Sequence, residues 1–327
     1  MELVLKLELV SNHKNKGRSD HHVFLREFSE TETRAHRFTA LITTLRLVTQ
    51  NLRRQTTTTL RDIFYKDVSA FQGSQTRSND CLKLVSNSLG FSLERDLKIN
   101  PSPKGLVYGG PHLHLQSKNT HISLSYNGEY VLVPASISDE TIFTSEHIDA
   151  VIITEKEAVF KSFSAYLQVL RNARTLITLT GKGNPDKAST RFLGALRRSF
   201  NNLPVFVFVD SDVYGLRIFW TYMLAAGGPA SSVVFAGTFL LEHERGYLTI
   251  AQREWKLMMN FLKEVTSFES SFCKKPETSI RLIKRELTRG MLLGKKAELN
   301  VMCDTSPDDS LNEYMWKRIA QQMCDKT

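Results

Sequence analysis

"LPVFVFVDSDVYG", residues 203–215, decides the fold: five residues of nothing but valine and phenylalanine, Val205 to Val209, stop at Asp210, Ser211 and Asp212. A strand apolar on every residue is buried on both faces, which marks a parallel sheet covered by helices. Two other stretches repeat the pattern, "HIDAVIITEKEAVF" at 147–160 and "ARTLITLTGKG" at 173–183. The segments "KEAVFKSFSAYLQVL" (156–170) and "DKASTRFLGALRRSF" (186–200) read as helices between them. Alternating strands and helices predict an α/β domain with a mainly parallel, Rossmann-like sheet. In such sheets chemistry gathers at the carboxyl ends of the strands. There the sequence places Glu155, the loop "TGKGNPD" and the pair Asp210 and Asp212. Each alone is weak, since a lone glutamate after a strand is commonly a helix N-terminal residue held by the dipole. Together they converge on one cleft and offer hard oxygen ligands suited to Mg²⁺, with Mn²⁺ as a substitute.

The first half has a different texture. From about Glu32 to Arg54 the spacing of Phe38, Leu41, Ile42, Leu45, Leu47, Val48 and Leu52 predicts a basic amphipathic helix. "TRSNDCLKLVSNSLGFS" (76–92) carries a helix start at Asn79 or Asp80, an apolar stripe at Leu82, Val85 and Leu89, and a stop at Gly90. "LERDLKINPSPKGLVYGG" (93–110) reads as strand, turn, strand. Helices followed by a hairpin predict a winged helix-turn-helix, which either reads DNA or serves as a purely structural module. Ahead of it, Leu3, Leu5, Leu7 and Leu9 alternate as in a strand while the leucine, glutamate and lysine content favours a helix. The stretch "SNHKNKGRSD" (11–20) reads as a linker. The expected organisation is thus α/β and α+β, with an extension over 1–32, a winged-helix domain over 33–145, and a metal-binding domain with C-terminal helices over 146–327.

Composition narrows the function classes. The chain has 327 residues, 41% hydrophobic and 24% charged, with a formal charge of +9. That balance suits a soluble globular protein with a polyanionic partner, nucleic acid before others. No window approaches eighteen uninterrupted apolar residues, and Glu2, Lys6 and Glu8 interrupt the N-terminus, so neither a membrane span nor a signal peptide is expected. Cys81, Cys273, Cys303 and Cys324 lie far apart with no metal-ligand spacing and read as reduced thiols. His112, His114 and His121, lacking acidic or cysteine partners, read as an exposed sheet face.

Within "TTTTLRDIFYKDVSAF" (56–71) a single tyrosine sits between Arg61 and Lys66. Alone, Tyr65 reads as a packing aromatic. The rest of the chain changes that reading, because "VIITEKEAVF", "TGKGNPDKASTRFL" and "VFVDSDVYGLRIF", in that order, resemble the Toprim core of the topoisomerase VI A-subunit family, which includes the meiotic double-strand-break proteins. "LRDIFY" resembles that family's catalytic-tyrosine motif, "INPSPKGLVYGG" its wing, and "RELTRGMLLGKKAELNVM" (285–302) its C-terminal helical signature. Phe64 stands where the family often has a second tyrosine, Asn184 where an aromatic is common, and Val213 at a common proline site.

The resemblance implies a DNA transesterase that makes meiotic double-strand breaks, with Tyr65 as nucleophile and Arg61 as its assistant. Glu155, Asp210 and Asp212 would hold Mg²⁺. A tyrosine is almost wholly un-ionised at neutral pH, so a nucleophilic one needs such help. It further implies a homodimer in which Tyr65 of one protomer meets the carboxylates of the other, a nuclear, chromosomal location, accessory recombination proteins and, as partner, a B-like subunit. No G-x-x-x-x-G-K-[ST] loop is present, so ATP is expected to be bound elsewhere. Lys104, Lys182, Lys187 and Arg191 are the candidate DNA contacts around the glycine loop and its helix. The competing readings are the A subunit of a true topoisomerase VI, a Toprim nuclease or primase that dispenses with Tyr65, and a DNA-binding scaffold without catalysis.

Overall fold

The alternating leucines of the N-terminus form a strand: β1 (Val4–Leu9) pairs antiparallel with β2 (His21–Arg26), from Val4 opposite Arg26 to Leu9 opposite His21. The computed structural model describes residues 4–9, 21–26, 31–109, 114–117, 120–124, 128–135, 137, 141–144, 147–170, 174–242, 245–272, 278–300 and 310–324. The linker reading at 11–20, His112, Cys273 and Cys303 lie outside them. Two units divide at Ser102 and Pro103.

In the first unit, α1 (Glu32–Arg53) follows the apolar spacing read from the sequence. After it come β3 (Thr58–Thr59), α2 (Leu60–Lys66), α3 (Gln75–Leu89) and β4 (Ile99–Asn100). Helix α3 starts earlier than predicted, with Ser74 as its N-cap accepting from the Arg77 amide, and ends at Gly90 in the left-handed conformation, φ +68°. Ile63, Phe64, Phe71, Leu82, Leu97 and Ile99 share one core.

The hairpin predicted between Leu97 and Tyr108 does not form. Strand β4 pairs in parallel with β3, and β5 (Leu106–Tyr108) pairs with strands of the second unit. The reason lies in Val107: Leu106, Val107 and Tyr108 are all buried, as in a two-faced sheet, whereas a wing strand exposes alternate residues. The antiparallel hairpin in this region is instead β6 (His114–Ser117) with β7 (Thr120–Ser123), on which His114 and His121 are exposed, as read.

The second unit is built on a six-stranded sheet. Its remaining elements are β8 (Val131–Leu132), β9 (Ala150–Thr154), α4 (Glu157–Val169), β10 (Leu176–Thr180), α5 (Lys187–Ser199), β11 (Val205–Phe208), α6 (Val213–Ala225) and β12 (Val233–Gly237). They are followed by β13 (Leu248–Thr249), α7 (Gln252–Phe272), α8 (Thr278–Leu293), β14 (Lys295–Lys296) and α9 (Leu311–Cys324). Strand order is β12-β11-β9-β10-β5-β8, the first four parallel and the last two antiparallel additions. Alternation explains why the strands are apolar throughout. Val151, Ile153, Val205 and Val207 pack with Phe192, Phe219, Phe261 and Leu287 of α5 to α8, while Ala150, Ile152, Phe206 and Phe208 pack with Phe163 of α4 and Ile319 of α9.

A capping box holds the short helix α2 that carries the tyrosine. Thr59 Oγ1 accepts from the Asp62 amide at 3.2 Å, and the Thr59 amide donates to Asp62 Oδ2 at 2.9 Å. Replacing Thr59 by alanine is expected to lower unfolding free energy by about 1 kcal/mol in urea denaturation.

Candidate active site

Each unit carries one part of the expected site. In the first, Ile63 and Phe64 of α2 point into the core, which turns their neighbours outward. Tyr65 is 67% exposed, and its ring lies 5.2 Å from that of Phe64. Arg61, also exposed, precedes it by four residues on the same helix, so both side chains share one face. Lys66 fixes the end of α2 by donating to Asn51 Oδ1 of α1 at 2.8 Å. Phe64 has no hydroxyl, so Tyr65 carries the one phenol of this motif, and it faces solvent.

In the second unit, register brings the acidic residues together. Phe208 of β11 lies opposite Thr154 of β9, and Thr154 lies opposite Thr180 of β10, so the three following segments leave the sheet side by side. The Asp210 amide donates to Glu155 Oε2 at 3.0 Å, and the Gly183 amide donates to the Glu155 carbonyl at 2.9 Å. Lys182 and Gly183 both adopt left-handed conformations, φ +51° and +84°, which folds the glycine loop back onto Glu155. Asp212 is the N-cap of α6, accepting from the Gly215 amide at 2.8 Å. A Cβ on Gly215 would lie 2.2 Å from the Asp210 carbonyl oxygen, so only glycine lets α6 start this close to the acidic loop.

Three carboxylates on one sheet edge repel one another. Burial, then the charges of Asp210 and Asp212, pushes the Glu155 carboxyl up to about 7. Burial, helped by Asp210, raises Asp212 as well. Two lysines oppose this charge. Lys156 Nζ lies 3.0 Å from Asp210 Oδ2, and Lys296 acts on Asp212 electrostatically while paired with Glu254 at 2.5 Å. The C-terminal segment closes over the same loop: Leu299 N donates to Asp210 Oδ1 at 2.8 Å, and Ser211 and Ala297 exchange backbone hydrogen bonds.

Glu155, Asp210 and Asp212 therefore follow adjacent strands at one edge of the sheet. Among the described residues no three acidic, histidine or cysteine side chains converge closely enough to encircle a metal ion, and each of these carboxylates accepts from a main-chain amide. The donor set nonetheless fits a divalent cation, being hard carboxylate oxygens, two of which belong to groups raised first by burial and then by neighbouring negative charge. Beside Glu155 opens a cleft of about 610 Å³ bounded by Asn184, Tyr214, Arg217, Thr221 and Glu264. Arg217 is oriented within it by Glu264 at 3.2 Å and by the Phe261 ring at 4.4 Å.

The basic residues read as DNA contacts have mixed surroundings. Lys104 Nζ donates to the Lys182 carbonyl at 3.3 Å, and Lys182 Nζ pairs with Glu157 at 3.1 Å. Lys187 and Arg191 lie on the first two turns of α5. Asp186 caps that helix and also accepts from the amides of Lys104 and Gly105, so it joins two segments. Arg197 donates to the Leu203 carbonyl at 2.7 Å and is structural. The sequence reading missed Lys156, Lys296, Glu298 and Arg217. The clue to Lys156 was its place directly after Glu155.

The Toprim-domain model of the topoisomerase 6 A-subunit/Spo11 family matches residues 150–319, and "Type IIB DNA topoisomerase" matches residues 36–99. The chain is 27% identical over 268 residues to the meiotic recombination protein rec12 of Schizosaccharomyces pombe, covering 76% of this chain and 68% of that protein. It is 26% identical over 285 residues to the meiosis-specific protein SPO11 of Saccharomyces cerevisiae, covering 80% and 70%. To the A3 subunit of DNA topoisomerase 6 from Oryza sativa subsp. indica it is 34% identical over 199 residues, covering 61% of this chain and 43% of that protein.

The raised Glu155 makes stability depend on pH. Its folded value of about 7 exceeds the ordinary 4.5, so the folded state holds the proton more tightly. The resulting stabilisation is complete below the ordinary value, is lost as pH rises through the folded value, and amounts to about 3 kcal/mol. Chelator-treated protein should therefore melt at lower temperature at pH 8 than at pH 5. Glu155→Gln, which keeps an acceptor for the Asp210 amide, should flatten that slope in thermal melts.

Proposed function

Because the chain belongs to the topoisomerase 6 A-subunit/Spo11 family, we propose that it is a topoisomerase-like DNA transesterase making the double-strand breaks that initiate meiotic recombination. One observation carries this reading. The same chain holds a solvent-facing tyrosine with an arginine one helical turn before it and, on a parallel sheet edge, a set of three carboxylates.

In this reading Tyr65 Oη attacks the scissile phosphorus. A P–O bond to tyrosine forms, the bond from phosphorus to the 3′ oxygen breaks, and the phenolic proton ends on the departing 3′ hydroxyl. The product is a 5′-phosphotyrosyl DNA end. One ester replaces another, so cleavage itself needs no ATP. Arg61 sits where it can hold the phosphate against Tyr65 and offset the charge of a forming phenolate. Its guanidinium donates in a planar fork that matches two phosphate oxygens.

Glu155, Asp210 and Asp212 are the residues that would hold Mg²⁺ or Mn²⁺. When bound, the ion supplies charge stabilisation for the phosphoryl and 3′ oxygens. The chain's own contribution is placement: the Asp210 amide orients Glu155, the Leu299 amide orients Asp210, and the Gly215 amide orients Asp212. Lys104, Lys182, Lys187 and Arg191 flank the glycine loop as candidate backbone contacts to duplex DNA.

Two strands need two nucleophiles, which supports a homodimer in which Tyr65 of one protomer serves the carboxylates of its partner. Accessory recombination proteins and a B-like subunit complete the assembly, acting on chromosomes in the nucleus. The specific alternative is the A subunit of a type IIB topoisomerase working with an ATP-hydrolysing B subunit, favoured by the higher identity to the plant topoisomerase protein.

Denaturing electrophoresis with 3′-end-labelled duplex and Mg²⁺, with candidate partners present, tests the chemistry. Wild type should yield a protein–DNA adduct, and Tyr65→Phe and Asp210→Asn should each abolish it. Nicked DNA without adduct, undiminished by Tyr65→Phe, would sink the proposal and make water the nucleophile. Resealing dependent on ATP and the B subunit would favour the topoisomerase.

A further inference from the structure

Asp210 is 93% buried by accessible area, and both of its carboxylate oxygens are already engaged, Oδ1 by the Leu299 amide at 2.8 Å and Oδ2 by Lys156 at 3.0 Å. The same ammonium lies 3.0 Å from Glu298 Oε2, so it bridges a buried carboxylate and a half-exposed one. Glu298 is held there by the hydrogen bonds that tie its neighbours Ala297 and Leu299 to Ser211 and Asp210. Lys156 is moreover the N-cap of α4, with no side-chain capping bond. A cation is disfavoured at that end of a helix, and asparagine, aspartate, serine and threonine are the usual caps. The lysine is therefore set by the carboxylates, not by the helix.

We propose that Lys156 is the resident counter-ion of the acidic site, holding Asp210 Oδ2 in the metal-free protein and yielding it to an entering divalent cation while staying on Glu298. The proposal rests on reading Glu155, Asp210 and Asp212 as the metal ligands. Two cations compete for one carboxylate oxygen, so the lysine weakens metal binding by the amount it stabilises the metal-free site. Glu298 makes the exchange easier, because the displaced ammonium keeps an anionic partner. A site built this way tolerates its buried negative charge between metal-binding events, and it binds the ion less tightly than three unguarded carboxylates would.

The test is a Mn²⁺ titration of the full chain without DNA, reading free Mn²⁺ by its paramagnetic resonance signal. Lys156→Met removes the charge and keeps the length, and should lower the Kd for Mn²⁺ at least about fivefold, the lower end of ordinary coupling between sites. Its melting temperature in chelator should fall, with Mn²⁺ restoring it. Glu298→Gln leaves Lys156 with Asp210 alone and should raise the Kd, as should Lys156→Arg, whose fork grips a carboxylate more firmly. Asp210→Asn serves as control. If it leaves Mn²⁺ binding unchanged, the ligand reading fails and the proposal with it. If it abolishes binding while Lys156→Met leaves the Kd unchanged or raises it, the ligand reading stands and the counter-ion proposal alone is overturned. Should Lys156→Met not fold by circular dichroism, the other two variants decide: an unchanged or lowered Kd in both overturns the proposal.

Discussion

The hydrogen bond from the Asp210 amide to the Glu155 carboxylate ties together the two loops of the acidic edge. It exists because β9 and β11 are adjacent and parallel with Phe208 opposite Thr154, so that the loop after one strand passes directly over the residue after the other. A slip of one residue would exchange the two faces of β11, sending Phe206 and Phe208 to the side now filled by Val205 and Val207. The core thus sets the register, and the register sets the site. Gly215 completes the arrangement, since any side chain there would push α6 and its capping Asp212 away from Asp210.

Such convergence has an electrostatic cost. Glu155 and Asp212 are both held above their ordinary range by burial and by like charges. Main-chain amides aimed at each carboxylate, together with Lys156 and Lys296, offset part of this without filling the site with a permanent partner for every oxygen. The lysines come from opposite ends of the unit, one following β9 and the other on β14, so the acidic edge depends on a C-terminal segment about 140 residues away in sequence.

Much of the second unit was legible in the sequence because unbroken apolar strands admit few placements. The runs at 150–154, 176–180 and 205–208 became strands, and the polar residues ending them lie side by side at one sheet edge. Strands β12 and β8 were not read, and β5 was read as a strand but with the wrong partner. In the case of β5 the alternation of Leu106 and Tyr108 hid the burial of Val107 between them, and its partner β10, about seventy residues away, leaves no local trace. The leucine alternation at the N-terminus favoured strand over helix, and the paired partner His21–Arg26 shows why period outweighed composition: an antiparallel neighbour satisfies the backbone that propensity alone would have coiled. Lys156 and Glu298 were invisible as a pair because their proximity is purely tertiary.

The tyrosine end of the chemistry follows a different physical logic. Its helix is seven residues long and could not stand alone, so a capping box at its start and the Lys66 to Asn51 bond at its end hold it while Ile63 and Phe64 anchor it. That anchoring leaves Tyr65 and Arg61 in solvent on a capped turn, where the proposed nucleophile would be reachable by a duplex. The carboxylates are the opposite case, buried and costly, and they belong at the end of a sheet whose core can absorb the cost. In the proposed reaction the exposed nucleophile and the buried acidic edge are thus each built where their own energetics permit.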